Sequence, residues 1–420
     1  MSKNVVVIGG GIIGMCSAYY LHKEGHQVTV IDQSDFSKGA SYVNAGIITP
    51  SHIISLAAPG MINKGIKWMF SSTSPFSIKP RIDFDFIYWS WLFKKASTAQ
   101  KVEASIPVIK DINLFSKELY EEMQNSNDFD FYYQDKGLLM HYQTDKAGEE
   151  EWKVGQRAIQ EGLKVENLTK EQVQKLEPHV DLNIKGAVYY HSDAHMSPNE
   201  FMQQLKAYLE NAGVTFIANE EVLDFTTSQN TINSITTKTQ QISTDEFVIA
   251  TGSWTQKLSK KLGIRIPVQA GKGYRINVAQ ETGIQVPSIL MEAKVAVTPM
   301  DGYTRFAGTM EVAGINEDIN IKRVQTIANA SENYYQGLKI DSKAIQNTQS
   351  GLRPCSPDGL PYIGKLSRFQ NATVATGHAM MGWSLGPATG KVISELISEK
   401  KTSLNITPFH VERYHKKSRN

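Results

Sequence analysis

Near the N-terminus, a glycine triplet stands between a short apolar run and a helix-like segment, and it constrains the fold more than any other feature. Residues 5–8 are apolar and mostly β-branched, which predicts a strand buried on both faces. Gly9, Gly11 and Gly14 follow with GxGxxG spacing, and a second apolar run ends at Asp32. A strand, this triplet, a helix and an acid at the end of the next strand are typical of a dinucleotide-binding βαβ unit.

Each glycine of the triplet has its own predicted task. Gly9 permits a tight turn, Gly11 lets a pyrophosphate approach the backbone, and Gly14 lets the helix pack closely on the strand. The first amide groups of the helix, at Ile12 and Ile13, then face the phosphates at the positive end of the helix dipole. A βαβ unit without a ligand is the alternative interpretation.

The acid after the second strand helps to select the nucleotide. The carboxylate of Asp32 can accept hydrogen bonds from both ribose hydroxyls, and it would repel a 2′-phosphate. We also place Gln33 beside the nucleotide. Because residues 46–420 contain no second glycine fingerprint, we predict that one dinucleotide binds.

Two later segments favour FAD over NAD as this dinucleotide. Residues 39–50, GASYVNAGIITP, include small and amide side chains that would let a flavin ring lie along the backbone. Residues 245–254 predict a buried strand ending in Ala-Thr-Gly, which resembles the strand that flavoproteins pack beside the nucleotide fold. The predicted cofactor contacts in these segments are Ala40, Ser41, Asn44, Ala45, Gly46, Ile47, Thr251 and Gly252.

Five further motifs carry a family resemblance: VNAGIITP at Val43, LAAPG at Leu56, KGYR at Lys272, GLRPCSPDGLPYIG at Gly351 and GHAMMGWS at Gly377. With the glycine fingerprint, they resemble the FAD-dependent D-amino-acid dehydrogenases in order and approximate spacing. These enzymes belong to the superfamily of D-amino-acid oxidase and glycine oxidase. The resemblance implies an α/β fold in which a Rossmann-like FAD-binding domain is interleaved with an antiparallel-sheet substrate domain.

The chain is expected to cross between these domains several times. We assign residues 1–55, 192–262 and 347–400 to the FAD-binding domain, residues 56–191 and 263–346 to the substrate domain, and residues 401–420 to a basic C-terminal tail. Strand-like alternation in the second half of the substrate domain predicts an antiparallel sheet that roofs the flavin. Ser197 as N-cap, Pro198 in the first turn and Glu200 three residues after the cap predict a helix closed by a capping box.

The resemblance points to three residues at the reaction centre. Glycine oxidases place a carboxylate-binding arginine in the GLRP motif, and the matching residue is Arg353, whose planar guanidinium suits a bidentate carboxylate. An internal ion pair of Arg353 with Asp358 or another acid is the alternative. Tyr274 resembles a family tyrosine that covers the substrate, although a plain sheet residue fits as well. His52 either lines the site as a donor or makes only a local hydrogen bond.

The resemblance also predicts how FAD is held. The HAMMGWS segment resembles a loop whose backbone amides face the flavin pyrimidine, and a further residue is placed against the adenine. The added contacts are His378, Met381, Gly382, Trp383 and Ser384 for the flavin, and Val222 for the adenine. Flavinylated sarcosine oxidases carry their attachment cysteine at about the position of Gly351, whereas Cys355 lies later, so non-covalent FAD is expected.

The predicted activity is dehydrogenation of D-amino acids, including cyclic secondary amines such as D-proline or hydroxy-D-proline. The resemblance implies hydride transfer from Cα to the flavin N5, with the electrons then passed to a quinone or another carrier, such as a protein. Two alternatives stay open. One is a glycine- or sarcosine-type amine oxidase that uses O2, and the other is a non-catalytic flavin-binding subunit.

Composition and charge bear on partners and location. The 44 basic and 42 acidic side chains nearly cancel, so nucleic acid is not a predicted partner. The two cysteines form no CxxC pair and no disulfide framework, which fits a reducing compartment. The first strand leaves no room for a leader, and no apolar run approaches the ~20 residues of a spanning helix. We therefore expect a cytoplasmic location.

Two other patterns have competing interpretations. His191, Asp193 and His195 alternate like metal ligands along a strand, but no fourth ligand is near in sequence, so we predict a polar strand end and no metal. Residues 62–95 combine aromatic with basic side chains. A buried aromatic helix is one interpretation, and an interfacial patch that touches the inner face of a membrane is the other.

Overall fold

The computed structural model describes residues 1–55, 57, 74–79 and 81–415. The LAAPG motif apart from Ala57, residues 62–73 of the aromatic segment and the last five residues of the predicted tail lie outside this description. The strands are β1 (Asn4–Ile8), β2 (Gln27–Ile31), β3 (Ile47–Ile48), β4 (Phe76–Ile78), β5 (Tyr133–Gln134), β6 (Leu138–Tyr142), β7 (Val165–Thr169), β8 (Asp181–Leu182), β9 (Gly186–Tyr190), β10 (Ala194–Met196), β11 (Thr215–Ile217), β12 (Asp224–Ser228), β13 (Thr231–Thr236), β14 (Gln241–Ile242), β15 (Glu246–Ile249), β16 (Gln269–Val278), β17 (Ser288–Leu290), β18 (Val295–Met300), β19 (Tyr303–Val312), β20 (Tyr335–Gln336), β21 (Gln349–Cys355), β22 (Tyr362–Lys365) and β23 (Ala372–Thr376).

The helices alternate with these strands along the chain. They are α1 (Ile12–Lys23), α2 (Ala40–Val43), α3 (Phe84–Ala96), α4 (Ala99–Gln124), α5 (Asp145–Gln160), α6 (Lys170–Leu176), α7 (Pro198–Asn211), α8 (Thr255–Lys261), α9 (Ile321–Tyr334), α10 (Ser342–Gln346) and α11 (Gly386–Ile397).

The first large sheet is built around the N-terminal strand. Its order is β11-β2-β1-β15-β23-β22, and β1 pairs in parallel with both β2 and β15. The side chains of Val5 and Val7 join a core formed with α1, α4, α7 and α11, whereas Val6 and Ile8 join a second core on the other face. Burial on both faces explains why the strand is apolar at successive positions.

The second large sheet has the order β21-β16-β19-β18-β17-β6-β9-β7, with β4 beside β19. Most of its pairs are antiparallel, and the exceptions are the parallel pairs of β17 with β6 and of β19 with β4. One face packs on α9 and α10, and the other faces the first sheet across a cavity. The predicted α/β fold with an antiparallel substrate sheet is confirmed.

Strand β21 corrects one predicted boundary. We assigned residues 347–400 to the FAD-binding domain, yet β21 pairs along its length with β16 of the second sheet. Pro354 fits in β21 because this strand is at the sheet edge, where one side needs no ladder partner. The chain thus passes from the second sheet back to the first between Cys355 and Tyr362, shortly after Arg353.

The predicted helix after Ser197 is present as α7, but its capping box is wrong. Ser197 is the N-cap and Pro198 occupies the first turn, yet the Ser197 side chain makes no capping hydrogen bond. The carboxylate of Glu200 instead accepts a hydrogen bond from the backbone N–H of Tyr132 at 3.0 Å. A partner far away in sequence has therefore displaced the local motif.

The described part of the aromatic segment forms β4 and then α3, and this helix has two unlike faces. Trp89 and Leu92 are buried, whereas Phe84, Ile87 and Trp91 are at least half exposed. The buried face fits the interpretation of this segment as a buried aromatic helix. None of the helices that the structure describes is long and apolar enough to cross a membrane.

Candidate active site

A cavity of about 1360 Å³ separates the two large sheets. This volume exceeds the ~300–1000 Å³ of a pocket for one small ligand, so a dinucleotide and a substrate fit together. One side, the nucleotide wall, consists of lining residues from 8–55, 219–261 and 375–383. The other side, the substrate wall, consists of Met140, Glu151, Gly273 and lining residues from 289–310 and 351–354.

Most predicted cofactor contacts meet in the nucleotide wall. They are Gly9, Gly11, Ile12, Ile13, Asp32, Gln33, Ala40, Ser41, Asn44, Ala45, Ile47, Val222, Thr251, Gly252, His378, Met381, Gly382 and Trp383. The three predicted residues outside the lining are Gly14, Gly46 and Ser384. The cavity thus brings together segments that are more than 300 residues apart in sequence.

The glycine turn is stabilised by the acid at the end of β2. Gly9 has a φ of +109°, a conformation that favours glycine. The backbone N–H of Gly10 donates to Asp32 Oδ2 at 2.7 Å, and Ser34 N–H and Oγ–H donate to Oδ1 at 2.7 Å each. Oδ2 keeps one lone pair free, so Asp32 can hold the loop and still accept from a ribose hydroxyl.

The three predicted cofactor contacts outside the lining lie behind the nucleotide wall and help to fix its shape. A Cβ on Gly14 would overlap the carbonyl oxygen of Gly9, so Gly14 allows the close helix–strand approach. Gly46 has a φ of +80°, and a Cβ there would collide with the Met196 carbonyl. Ser384 Oγ accepts from the backbone N–H of Thr49 at 2.9 Å and so fixes the segment after Ile47.

Arg353 lies in the substrate wall, and its guanidinium faces the cavity above Gly273. A Cβ on Gly273 would overlap the guanidinium nitrogens, so this glycine makes room for them. Nη1 donates to the Thr309 carbonyl at 2.8 Å. Burial lowers the pKa of Arg353, which is the expected effect of removing a cation from water.

No carboxylate of the described residues forms an ion pair with Arg353. The alternative that pairs Arg353 with Asp358 is wrong, because Asp358 accepts two 2.8 Å hydrogen bonds from Arg413. A half-buried cation at a cavity surface is costly without an anionic partner. The remaining guanidinium donors are therefore suited to a ligand carboxylate.

Tyr274 does not occupy the predicted covering position. Successive side chains of a strand point to opposite faces, and Gly273 is the residue of this pair that lines the cavity. The Tyr274 ring is buried in the core on the other face, where its hydroxyl donates to Glu311 Oε1 at 2.6 Å and accepts from Asn320 N–H at 3.1 Å. The plain sheet interpretation describes it better.

His52 lines the cavity beyond the flavin-side segment. Burial, with a smaller contribution from the positive charge of Lys294, lowers the pKa of His52 to about 4, so the imidazole is neutral at pH 7. Its neighbour Ser51 is fixed by Asp193, which accepts from Ser51 N–H at 3.0 Å and from Ser51 Oγ–H at 2.6 Å. Burial raises the pKa of the Asp193 carboxyl to about 7 despite these hydrogen bonds.

The alternating acid and histidines around Asp193 have separate partners. His191 Nε2 pairs with Glu166 Oε1 at 2.9 Å, and His195 Nε2 lies 3.5 Å from the Tyr132 hydroxyl. Within residues 1–55, 57, 74–79 and 81–415, no group of three or more His, Cys, Asp or Glu side chains is placed to hold a metal ion. Asp193 instead anchors the loop that carries His52.

The loop before α11 forms one end of the nucleotide wall. His378 Nε2 lies 3.0 Å from Thr389 Oγ1, and burial lowers the pKa of His378 to about 3, so this imidazole is neutral. Cys355 lies behind the cavity lining, in a small apolar cluster with Trp89 and Met310. Burial raises the pKa of the Cys355 thiol to about 12, so it stays protonated and unreactive.

Sequence reasoning missed most of the substrate wall. The missed lining residues include Met140, Glu151, Ile289, Met291, Lys294, Ala296, Ala307, Thr309 and Met310. Alternation indicated that strands pass through residues 288–312, but alternation does not give strand register or neighbours. Strands β6 and β9 were not predicted at all.

The protein-family model described as FAD dependent oxidoreductase (DAO) matches residues 4–396. This chain belongs to that family. The predicted resemblance is therefore confirmed, and the chain is an FAD-dependent oxidoreductase. The glycine turn, Asp32 and the long cavity between the sheets are the features that fit this cofactor.

Relatives in this family resemble the chain over almost its whole length. A Vibrio atlanticus (strain LGP32) protein named D-amino acid dehydrogenase is 31% identical over 427 residues, which cover 98% of this chain and 99% of the relative. A Helicobacter pylori protein of the same name is 30% identical over 407 residues, with 96% and 97% coverage.

Solved structures share the fold at lower identity. Glycine oxidase from Geobacillus kaustophilus superposes with a TM-score of 0.77 at 21% identity, and covers 98% of this chain and 99% of its own. L-proline dehydrogenase from P. horikoshii gives 0.74 at 20% identity, with 98% coverage of both chains. At such identities, the likeness supports the two-sheet architecture alone.

Proposed function

We propose that this enzyme dehydrogenates D-amino acids and that Arg353 binds the substrate carboxylate. The observation that carries the proposal is the guanidinium of Arg353, which faces the cavity without an acidic partner among the described residues. A planar guanidinium binds a carboxylate through two parallel hydrogen bonds. Further support comes from the full-length relatives named D-amino acid dehydrogenase.

FAD, when bound, supplies a two-electron acceptor for the hydride from the substrate Cα. The residues of the chain then have to orient the substrate and exclude water. Arg353 holds the carboxylate at one end, and the neutral His52 can accept a hydrogen bond without holding a charge near pH 7. The apolar side chains of Met140, Ile289 and Met291 keep the rest of the cavity dry.

We further propose that FAD is bound without a covalent bond. Cys355, the cysteine nearest the arginine in sequence, lies behind the cavity lining and its raised pKa keeps it as a thiol. The cofactor contacts proposed from the sequence would hold it in place, with Gly14, Gly46 and Ser384 acting behind the wall. Acid precipitation should release the yellow chromophore into the supernatant, and a chromophore retained on the precipitated protein would contradict this proposal.

The substrate is best identified by anaerobic bleaching of the FAD-loaded enzyme. We expect D-alanine, D-proline or hydroxy-D-proline to bleach the flavin absorbance near 450 nm, about tenfold or more faster than the L-enantiomers at equal concentration. Glycine and sarcosine belong in the same panel, since they distinguish the glycine-oxidase type. If none of these amines bleaches the flavin, a non-catalytic flavin-binding role replaces the proposal.

We propose that the electrons leave to a quinone or another carrier and not directly to O2. The support is the name dehydrogenase shared by the relatives. Stopped-flow reoxidation of the bleached enzyme tests this directly. We expect slow reoxidation in air-saturated buffer and fast reoxidation after addition of a soluble quinone, whereas fast reoxidation by air alone would identify an oxidase.

We also propose peripheral contact of the exposed face of α3 with an anionic membrane surface. Phe84 is 64% exposed, Ile87 56% and Trp91 50%, and Lys95 Nζ lies 3.6 Å from the centre of the Trp91 ring. Aromatic and basic side chains together favour the interface of an anionic bilayer.

Cosedimentation with vesicles that contain anionic lipid tests the contact. Trp91→Ser should lower the bound fraction about threefold or more at low salt, whereas Ile159→Ser, which removes an exposed side chain on α5, should not. Equal binding of both variants and the wild type would contradict the contact.

A further inference from the structure

Four side chains of the substrate wall form a row across four neighbouring strands. Ala307 of β19 pairs with Ala296 of β18, which pairs with Ile289 of β17, which pairs with Met140 of β6. All four line the cavity. Neighbouring strands are about 4.8 Å apart, so the row extends about 14 Å. The two alanines leave the cavity open over the middle of the sheet.

Two ionisable residues line the cavity beside the β17 and β6 part of this row. Glu151 of α5 is 8% exposed, and its Oε1 accepts from the Tyr190 hydroxyl at 2.7 Å. Lys294, in the turn between β17 and β18, lines the same part of the cavity, and its charge partly offsets the burial that raises the pKa of Glu151. A buried carboxyl at a cavity surface is costly unless it has polar partners.

The distance from Arg353 to this end suits an amino-acid side chain. The guanidinium lies above Gly273 of β16 and donates to Thr309 of β19. A carboxylate bound there lies roughly two strand spacings, about 10 Å, from the β17 position of the row, next to which Lys294 lies in sequence. A side chain that leaves Cα at β19 would pass over the alanines and bring its terminal atoms near Glu151 and Lys294.

We propose that this row and its polar end form the side-chain pocket of the enzyme, and that the pocket prefers extended side chains with an apolar stem and an uncharged carboxamide end. The inference rests on the proposed function. The carboxamide oxygen accepts from the Lys294 ammonium, and the carboxamide N–H donates to Glu151. An ammonium or carboxylate end meets a like charge on one of these two residues, whereas the carboxamide meets none.

Selectivity between D-glutamine and D-alanine tests the pocket with the FAD-loaded enzyme. We expect wild-type kcat/KM to be about tenfold higher for D-glutamine than for D-lysine or D-glutamate. Ala296→Leu fills the middle of the row and should lower the D-glutamine to D-alanine ratio of kcat/KM about 30-fold. Ala330→Leu adds the same atoms on α9, on the other face of the sheet, and should leave the ratio unchanged.

Lys294→Met provides a second measurement if Ala296→Leu binds FAD poorly. This variant should lower the ratio of D-glutamine to D-methionine about tenfold, because it removes the carboxamide donor and keeps the stem. If D-alanine is oxidised but both variants leave their ratios unchanged, the pocket is overturned and the proposed function stands. If no D-amino acid bleaches the flavin, both are overturned.

Discussion

The nucleotide wall and the substrate wall enclose the same cavity but arise from different kinds of information. Much of the nucleotide wall comes from one continuous stretch, from β1 through α1 and β2 to β3. The substrate wall joins strands taken from positions as distant as Met140 and Arg353. Local backbone requirements therefore specify the first wall, whereas strand pairing over long distances specifies the second.

A substitution that disrupts the nucleotide wall should have the largest effect on FAD binding and on stability. Gly14→Val forces a side chain into the Gly9 carbonyl, so the helix and strand cannot keep their distance. We expect almost no FAD in the purified protein, and a loss of several kcal/mol in the free energy of unfolding, about the size seen for severe overpacking. The measurements are the ratio of flavin to protein absorbance and denaturant unfolding.

Gly213→Val is a suitable control, because a Cβ at Gly213 meets open space and only its φ of +90° opposes the change. It should cost about 1 to 2 kcal/mol of stability and keep FAD. If Gly14→Val binds FAD as the wild type does, the local backbone does not specify the nucleotide wall.

A substitution in the substrate wall should leave the cofactor in place. Arg353→Lys keeps the charge but loses the planar fork, and we expect kcat/KM to fall by the equivalent of about 2 to 4 kcal/mol while FAD stays bound. Arg275→Lys is the matched control, since Arg275 lies on the neighbouring strand, donates to Gln349 and is outside the cavity lining. If Arg353→Lys and Arg275→Lys have equal kcat/KM, Arg353 has only a structural role.

The loop that carries His52 and is anchored by Asp193 should respond to pH. The pKa of Asp193 is about 7 in the folded protein and near its ordinary value of 3.8 when unfolded. The folded state thus binds more protons between these values, so the contribution of Asp193 to stability is full below about pH 4 and is lost as pH rises towards 7. Asp193→Asn removes this titration and keeps an oxygen for Ser51.

Unfolding free energies of wild type and Asp193→Asn, measured from pH 4 to 7.5, check this expectation. As pH rises over this range, the unfolding free energy of the variant should increase by about 2 to 4 kcal/mol relative to that of the wild type. Asp111→Asn changes an exposed side chain and should show no such trend. A pH-independent difference for Asp193→Asn would mean that this carboxyl does not titrate as described.

The smallest effect on catalysis is expected for a substitution on the face of the substrate sheet that points away from the cavity. Tyr274→Phe removes the hydrogen bond to the buried Glu311, which should cost about 1.5 to 3 kcal/mol in unfolding free energy. The kinetic constants should stay within about twofold of wild type, because the ring does not line the cavity. A large rise in KM would restore the covering role that the family resemblance suggested.

The same contrast explains how much could be predicted from the sequence. The positions of Gly9, Asp32 and residues 39–50 follow from short-range backbone requirements, so their grouping was predicted. The row from Ala307 to Met140 depends on the register of four strands spread over about 170 residues. The displaced capping box at Ser197 shows the same limit on a smaller scale, since the residue that decides it is distant in sequence.

Strand β21 packs directly on α2 of the nucleotide wall. Gly351, two residues before Arg353, packs so closely on α2 that a Cβ there would lie 3.0 Å from Ala40 and 3.2 Å from Val43. If the cofactor orders α2, we expect this close contact to order the strand that carries the arginine as well. Linkage makes such coupling reciprocal. A carboxylate held by Arg353 should slow the release of FAD, and apoenzyme should have little affinity for the substrate until the cofactor is in place.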